Sequence, residues 1–385
     1  MRDRKLIIVV IPAFAGMTVT VGFVSHGFRI INSIASDLHQ AIMTARAGEV
    51  RLGLSMAQRA WREAVVTESP HGRMHALNAV SICQAASGNY IESFAAGIDA
   101  WRLADDLHDP HARARAQCAV AGASVFIFDT SDQAMALLDE CLQAARQLND
   151  ATLDVLTRNA RGVARLKQLR YDDSLGEYET ALARVAETDG TLPRPLIVCN
   201  IAAVHMRRAA TATGATRAQL QQHAQIAIDW AIALASVEKN REAASRGYYS
   251  QAALCVQRED LVGALAAYRH SLQLAQELRH PYRIANVQME MGDVYAQLDQ
   301  LDCAQTSLEA ALQASASRRP NAELATIDEK LAAVYERQGD SHAAAHHRAQ
   351  AIHEREAYRR ECESATRQLA TQLAGIWQPY SLTAA

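Results

Sequence analysis

At 385 residues the chain is too long for one ordinary globular core, so two or three domains or a single repeat array are expected. Apolar residues make up 49% and aromatics only 5%, a balance that favours close-packed helices over a β-sandwich. A net charge of −3 supplies no global drive toward nucleic acid. The seven cysteines are scattered singly with no CxxC pair, which argues against a zinc cluster or disulfide framework and for a reducing, cytoplasmic compartment.

Residues 1–30 stand apart. Met1–Lys5 is basic, and Leu6–Val24 is apolar but broken by Pro12, Gly16 and Gly22. Three readings stay open. A signal peptide uses Leu6–Ile11 and an Ala13-Phe14-Ala15 cleavage site. A membrane anchor uses the whole apolar stretch. In the third, Val10–Thr18 (VIPAFAGMT) resembles the translation of an intergenic palindromic repeat, and the segment precedes the true start. The first two make the protein exported or membrane-anchored through residues 1–24; the third leaves it cytoplasmic.

From residue 31 to 352 the chain repeats itself. A small residue recurs at Ala41, Ser81, Gly122, Gly162, Ala202, Ala252, Gly292 and Ala332, mostly 40 apart. Twelve residues after most of these marks comes a second small residue: Gly53, Ser93, Ala134, Ser174, Ala264, Ala304, Ala344. Seven further on stands a third, from Ala60 and Ala100 to Cys141, Ala181, Ser271, Ala311 and Ala351. Large residues sit between, as with Leu138, Tyr178 and Tyr268. The fifth unit runs Ala202, Ala224, Ile228, Ala231, with ten extra residues near Thr211–Leu220 that read as a loop. Eight units thus tile roughly Ile34 to Ile352. Small residues at these marks let two antiparallel helices approach closely, and neither helix can bury its apolar stripe without the next unit. Pro70, Pro110, Pro193, Pro195, Pro281 and Pro320 all fall at unit junctions, where a helix interior would not accept them. Gly88-Asn89, Asp129, Asp260, Asp299 and Gly339-Asp340 mark turns within units.

This pattern resembles the tetratricopeptide repeat, best in Gly292, Tyr295, Ala304 and Leu308. The resemblance covers about 320 residues and departs in its period of 40 and its lack of the usual first-helix Trp. Repeats of this length are similar to the sensor arrays of diguanylate cyclases and to maltose-regulator-type activators, and Leu278–Ala304 is the most regulator-like stretch. The resemblance implies an all-α solenoid of about eight helix-turn-helix repeats in a right-handed superhelix. It implies a non-catalytic, regulatory scaffold that binds a protein or peptide on its concave face. The alternative is a detached sensor module whose output domain is supplied elsewhere.

In the family that face is lined by first-helix residues three and six before the small mark and one and four after it. Those offsets select Asn78 and Asn159, Tyr249 and Met289, Arg246 and Asn286, and Asp293, with Asn200 two before Ala202. An Asn amide both donates to and accepts from a peptide unit, so a row of them reads extended chain. The same asparagines could instead satisfy bonds between helices.

Residues 353–377 continue as a charged helix with apolar positions at Tyr358, Cys362, Ala365, Leu369 and Leu373, before a short tail at 378–385. This helix is expected to cap the last repeat or to act as a signalling helix, and a homodimer through it is a further expectation. His342, His346, His347 and His353 cluster nearby but without HExxH or a completing Cys or carboxylate, so surface histidines and no metal are expected. With no P-loop, GxGxxG or GxSxG either, neither a cofactor nor catalysis is expected. Arg113/Arg115 and Arg158/Arg161/Arg165 read as solvated faces, and no nucleic acid is expected as partner.

Overall fold

The computed structural model describes residues 37–127, 132–188, 194–316 and 322–376. Residues 1–36 and the tail lie outside them, and with them the three readings of the N-terminus. Among the described residues the regular structure is helical throughout. Sixteen helices run in order: α1 (37–46), α2 (Val50–Val66), α3 (Pro70–Ala86), α4 (Tyr90–Asp106), α5 (Pro110–Ile127), α6 (Asp132–Gln147), α7 (Ala151–Lys167) and α8 (Tyr171–Arg184), the last followed by a 3-10 turn at Val185–Glu187. Then come α9 (Arg194–Thr211), α10 (Gly214–Val237), α11 (Arg241–Gln257), α12 (Leu261–Glu277), α13 (Pro281–Gln297), α14 (Leu301–Ser315), α15 (Ala322–Gln338) and α16 (Ser341–Ile376). Each odd-numbered helix pairs with the next, and each pair packs on its successor, which makes an all-α repeat solenoid.

Local chemistry sets the joints. First helices begin at capping side chains spaced by the repeat: Ser69 accepts from the Gly72 amide, Asp109 from Ala112, Asp150 from Leu153 and Asn240 from Ala243. Prolines 70, 110 and 281 occupy the first helical position, where no amide is missed. Most turns place one residue in the left-handed region, including the non-glycines His108, Leu169, Lys239 and Arg279.

The small marks are the closest approaches. Ser81 Oγ donates to the Ser93 carbonyl at 2.7 Å, and Ser174 Oγ to the Gly162 carbonyl at 2.7 Å. Gly162 lies so near Tyr178 that a Cβ there would sit 2.5 Å from the ring. Core residues between the helices are large side chains from the second helix, among them Tyr178, Tyr268, Leu138 and Leu308, all essentially inaccessible.

Two local expectations are corrected. The stretch 211–220 is not a loop: α9 runs to Thr211 and α10 starts at Gly214, so the extra residues lengthen α10 to 24 residues. Helix-favouring Ala, Gln, Arg and Leu outweigh the Gly and Thr at its start. Nor are Arg158 and Arg161 solvated, whereas Arg113 and Arg115 keep 40% and 38% of their side chains exposed. Arg158 and Arg161, only 16% and 13% exposed, grip Glu177 from α8 at 3.1 and 2.7 Å. Arg158 also holds Asp154, Arg161 holds Asp139, Arg113 holds Asp105 and Arg115 holds Asp150. Their charge is neutralised between helices.

The array also closes on itself. The boundary expected near 352 falls inside α16, an unbroken 36-residue helix. Its distal part reaches past the last repeat to α4, where Ala365 and Leu369 join the cluster of Phe94, Ile98 and Trp101. Arg102 Nε donates to Gln372 Oε1 at 2.9 Å, and Tyr358 Oη to the Phe126 carbonyl at 3.3 Å. The side of α16 that carries Tyr358, Cys362, Ala365 and Leu369 therefore packs on the chain's own second and third repeats. At the other contact, Gly88 lies against Tyr282 and Gly48 against Leu278. The turns of repeats one and two thus abut the starts of repeats six and seven.

Candidate functional site

The first-helix residues picked from the offsets are all half-buried, yet they fall into two groups. In repeats four and five, Asn200 on α9 donates from Nδ2 to Oδ1 of Asn159 on α7 at 2.9 Å. One bond joins the two amides, leaving the Asn159 NH2 and the Asn200 carbonyl oxygen for another partner. Asn78 on α3 keeps its Oδ1 buried with no hydrogen-bond partner among the described residues. A buried acceptor without a donor carries a desolvation cost of about 1–3 kcal/mol that a ligand NH can relieve.

Arg246, on α11, makes no ion pair or hydrogen bond among the described residues. Its charge acts on Tyr90 of repeat two, Tyr178 of repeat four, Cys199 beside Asn200, and Glu242 one turn before it.

The second group faces inward from repeats six and seven but is engaged. Burial pushes the Tyr249 phenol well above its ordinary value, with the adjacent Glu290 carboxylate adding to the shift. The ring meets Tyr268 edge-on at 5.7 Å, and the Arg283 guanidinium lies 5.8 Å above it. Met289 packs on the core between repeats seven and eight, and Asp293 is ion-paired to Lys330 of α15. Asn286, also half-buried, lies one turn before Met289 on α13.

Beneath this face is a buried charge cluster that no offset rule selects. Arg283 Nη2 donates to Glu242 Oε1 at 3.0 Å, with the two side chains 8% and 10% exposed. Burial alone would raise the Glu242 carboxyl, but the charges of Arg283, His280 and Arg246 outweigh it and hold the group below its usual range. His280 caps α13, its Nδ1 lying 3.5 Å from the Arg283 amide and its Nε2 3.8 Å from Glu242. Tyr90 lies across from this cluster, stacked on Phe126 at 4.1 Å and edge-on to Tyr282 at 6.4 Å. Lys167 sits over the other side of that aromatic group, 5.7 Å from the Phe126 ring centre. Tyr90, Phe126 and Tyr282 occupy helix ends, where repeat offsets assign no role; only the tertiary closure brings them together.

The C-terminal histidines are dispersed in role. His347 bonds Asp328 at 2.8 Å and stacks on Tyr335, so it ties α16 to α15. No helix among the described residues is long and apolar enough to cross a membrane.

No protein-family model and no curated protein matches the chain. Solved structures do. A Rap protein complexed with Competence and Sporulation Factor aligns with a TM-score of 0.51 at 13% identity, covering 85% of this chain and 78% of its own. The Rap conjugation gene regulator of plasmid pLS20, in complex with the Phr* peptide, gives 0.50 at 13% identity, covering 86% and 96%. At such identities the likeness is one of fold, and it supports the tetratricopeptide-type solenoid.

Proposed function

We propose that this chain is a non-catalytic regulatory repeat protein that binds an extended peptide segment of a partner along its first-helix face. The observation that carries the reading is the Asn159–Asn200 amide pair, with a donor and an acceptor left over, next to the unpaired Arg246. An amide pair of this kind can bond a peptide unit without regard to side chains, and Arg246 offers a two-pronged partner to a carboxylate. Asn78 extends the same polar track to repeat two. Support also comes from the two fold relatives, one solved with Competence and Sporulation Factor and the other with the Phr* peptide. Tyr249, Asn286, Met289 and Asp293 form the supporting wall of the site. The protein acts in the cytoplasm, with no nucleic acid as partner. Nothing in the structure favours a cyclase sensor module or a maltose-type activator over this reading.

The test is the double substitution Asn159→Ala plus Asn200→Ala, measured by calorimetric titration of a partner that co-purifies with the tagged wild type. Removing both amides leaves no single amide stranded, so circular dichroism should show unchanged folding. Affinity should fall ten- to a hundredfold, the equivalent of about 1–3 kcal/mol in polar contacts. Unchanged affinity would move the binding site off this face, and loss of fold would make the pair a structural bond between repeats.

A further inference from the structure

We propose that the distal part of α16 is a strap that holds the superhelix in its closed turn, so that the contacts between repeats two and seven depend on it. The inference stands on geometry alone and does not rest on the peptide reading.

The strap is built for the task. Tyr358, Cys362, Ala365 and Leu369 recur every three or four residues and so share one side of the helix. Ala365 and Leu369 are buried against α4, while Arg359, Arg360, Glu361, Glu363 and Arg367 on the other side face solvent. From Tyr358 to Gln372 the helix spans about 21 Å. It makes hydrogen bonds at both ends of that span, to Phe126 of repeat three and Arg102 of repeat two. Its proximal part is the second helix of repeat eight, so one rigid rod fastens the last repeat to the second and third.

The other closing contacts are thinner. Tyr90 meets Tyr282 edge-on, and the chain at Gly88 and Gly48 touches Tyr282 and Leu278. Among the described residues no helix packs along another across that junction. A solenoid flexes because each repeat contacts only its neighbours, so small rotations add along the array. Bringing repeats two and seven together therefore requires a restraint that bypasses the intervening units, and α16 supplies it. Release of the strap would part Tyr90 from Tyr282 and widen the space that Arg246 faces, without breaking any repeat.

The experiment compares Leu369→Asp with Arg367→Ala on the solvent side of the same helix, using the full chain. Circular dichroism checks helix content, small-angle scattering reads the radius of gyration, and hydrogen exchange reads local opening. Arg367→Ala should match wild type. Leu369→Asp should keep its helix content and increase the radius of gyration. It should also speed exchange roughly tenfold or more at amides around Tyr282–Ile284, which lie across the closing contact from the cluster that Leu369 joins. If Leu369→Asp unfolds the chain, Gln372→Ala removes only the bond to Arg102 and should show the same pattern more weakly. Faster exchange confined to residues 358–376, with an unchanged radius, would overturn the proposal, because α16 would then be a passive passenger on an array that closes by itself.

Discussion

Repeats four and five and repeats six and seven present the same first-helix offsets to the same side of the solenoid, and they use them differently. In the former the polar side chains leave hydrogen-bonding capacity open: one bond joins Asn159 to Asn200, and both amides can take more. In the latter, Arg246 apart, the polar groups on and beneath that face are matched within the chain, Glu242 to Arg283, Glu290 to Tyr249 and Asp293 to Lys330. A repeat offset thus tells where a side chain points and not what it does. Its role is set by whether the neighbouring repeat supplies a partner. If that distinction is sound, substitutions at the matched groups of repeats six and seven cost stability, whereas the paired asparagines and Arg246 cost binding alone.

The largest effect should come from Glu242→Ala. It would leave Arg283 buried without its carboxylate, a situation that destabilises by about 3–5 kcal/mol. Denaturant melts should show this loss, whereas Asp293→Ala, whose ion pair is about a third exposed, should cost under ~1 kcal/mol. Equal losses would mean that burial does not separate the two pairs. Next comes Gly162→Ala. The added methyl meets the fully buried Tyr178 ring, and overpacking of about 1–3 kcal/mol exceeds the ~1 kcal/mol gain in helix propensity. Gly176→Ala on α8 meets no atom within 4 Å and should stabilise by up to ~1 kcal/mol. A loss at both glycines would break the register on which the close approach rests.

The register itself was readable in the sequence because it is local. Small residues twelve apart face each other across one helix pair, and the Ser81–Ser93 and Ser174–Gly162 bonds realise that spacing. Junction prolines did the same for the helix starts. The ten extra residues of repeat five misled, since Gly214 and the threonines around it suggest a loop but a single left-handed glycine suffices for the turn. Of the proposed site, the offsets select Asn159, Asn200 and Arg246 on the same terms as Met289 and Asp293, which stack repeats, and cannot tell the two kinds apart. Tyr90, Phe126, Tyr282 and the Glu242–Arg283 pair were invisible. Tyr90 and Tyr282 are 192 positions apart, and the contact between them exists only because the whole array turns far enough to bring its ends together. The α16 stripe was visible as a stripe, but its partner, α4, was not.

The smallest effect, and the one that most sharpens the contrast, is at Glu290. Burial pushes its carboxyl above the ordinary range and the nearby Asp293 adds to this, while Lys330 and the bond to Tyr249 pull the other way without cancelling it. A carboxyl whose folded value is raised contributes most to stability when protonated, below its unfolded value near 4.3, and that contribution is lost as pH rises through the folded value. At pH 7 the ionised Glu290 therefore weighs against folding. Glu290→Gln keeps a group that can bond Tyr249 and removes the charge, so it should raise the melting temperature slightly at pH 7, by the equivalent of less than about 1 kcal/mol. The gain should shrink as pH falls and vanish near pH 4, where the wild-type carboxyl is already protonated. Glu242 runs the opposite way: its folded value is lowered, so its contribution is present at neutral pH and lost on acidification. Thermal melts of Glu290→Gln and Glu242→Gln from pH 7 down to pH 4 should therefore begin on opposite sides of wild type; the Glu290 gain should fade across that range, whereas the Glu242 deficit should persist to about pH 4 and shrink only below it. A difference at Glu290 that stays constant across that range would trace the effect to amide packing and remove the charge argument for this wall of the site.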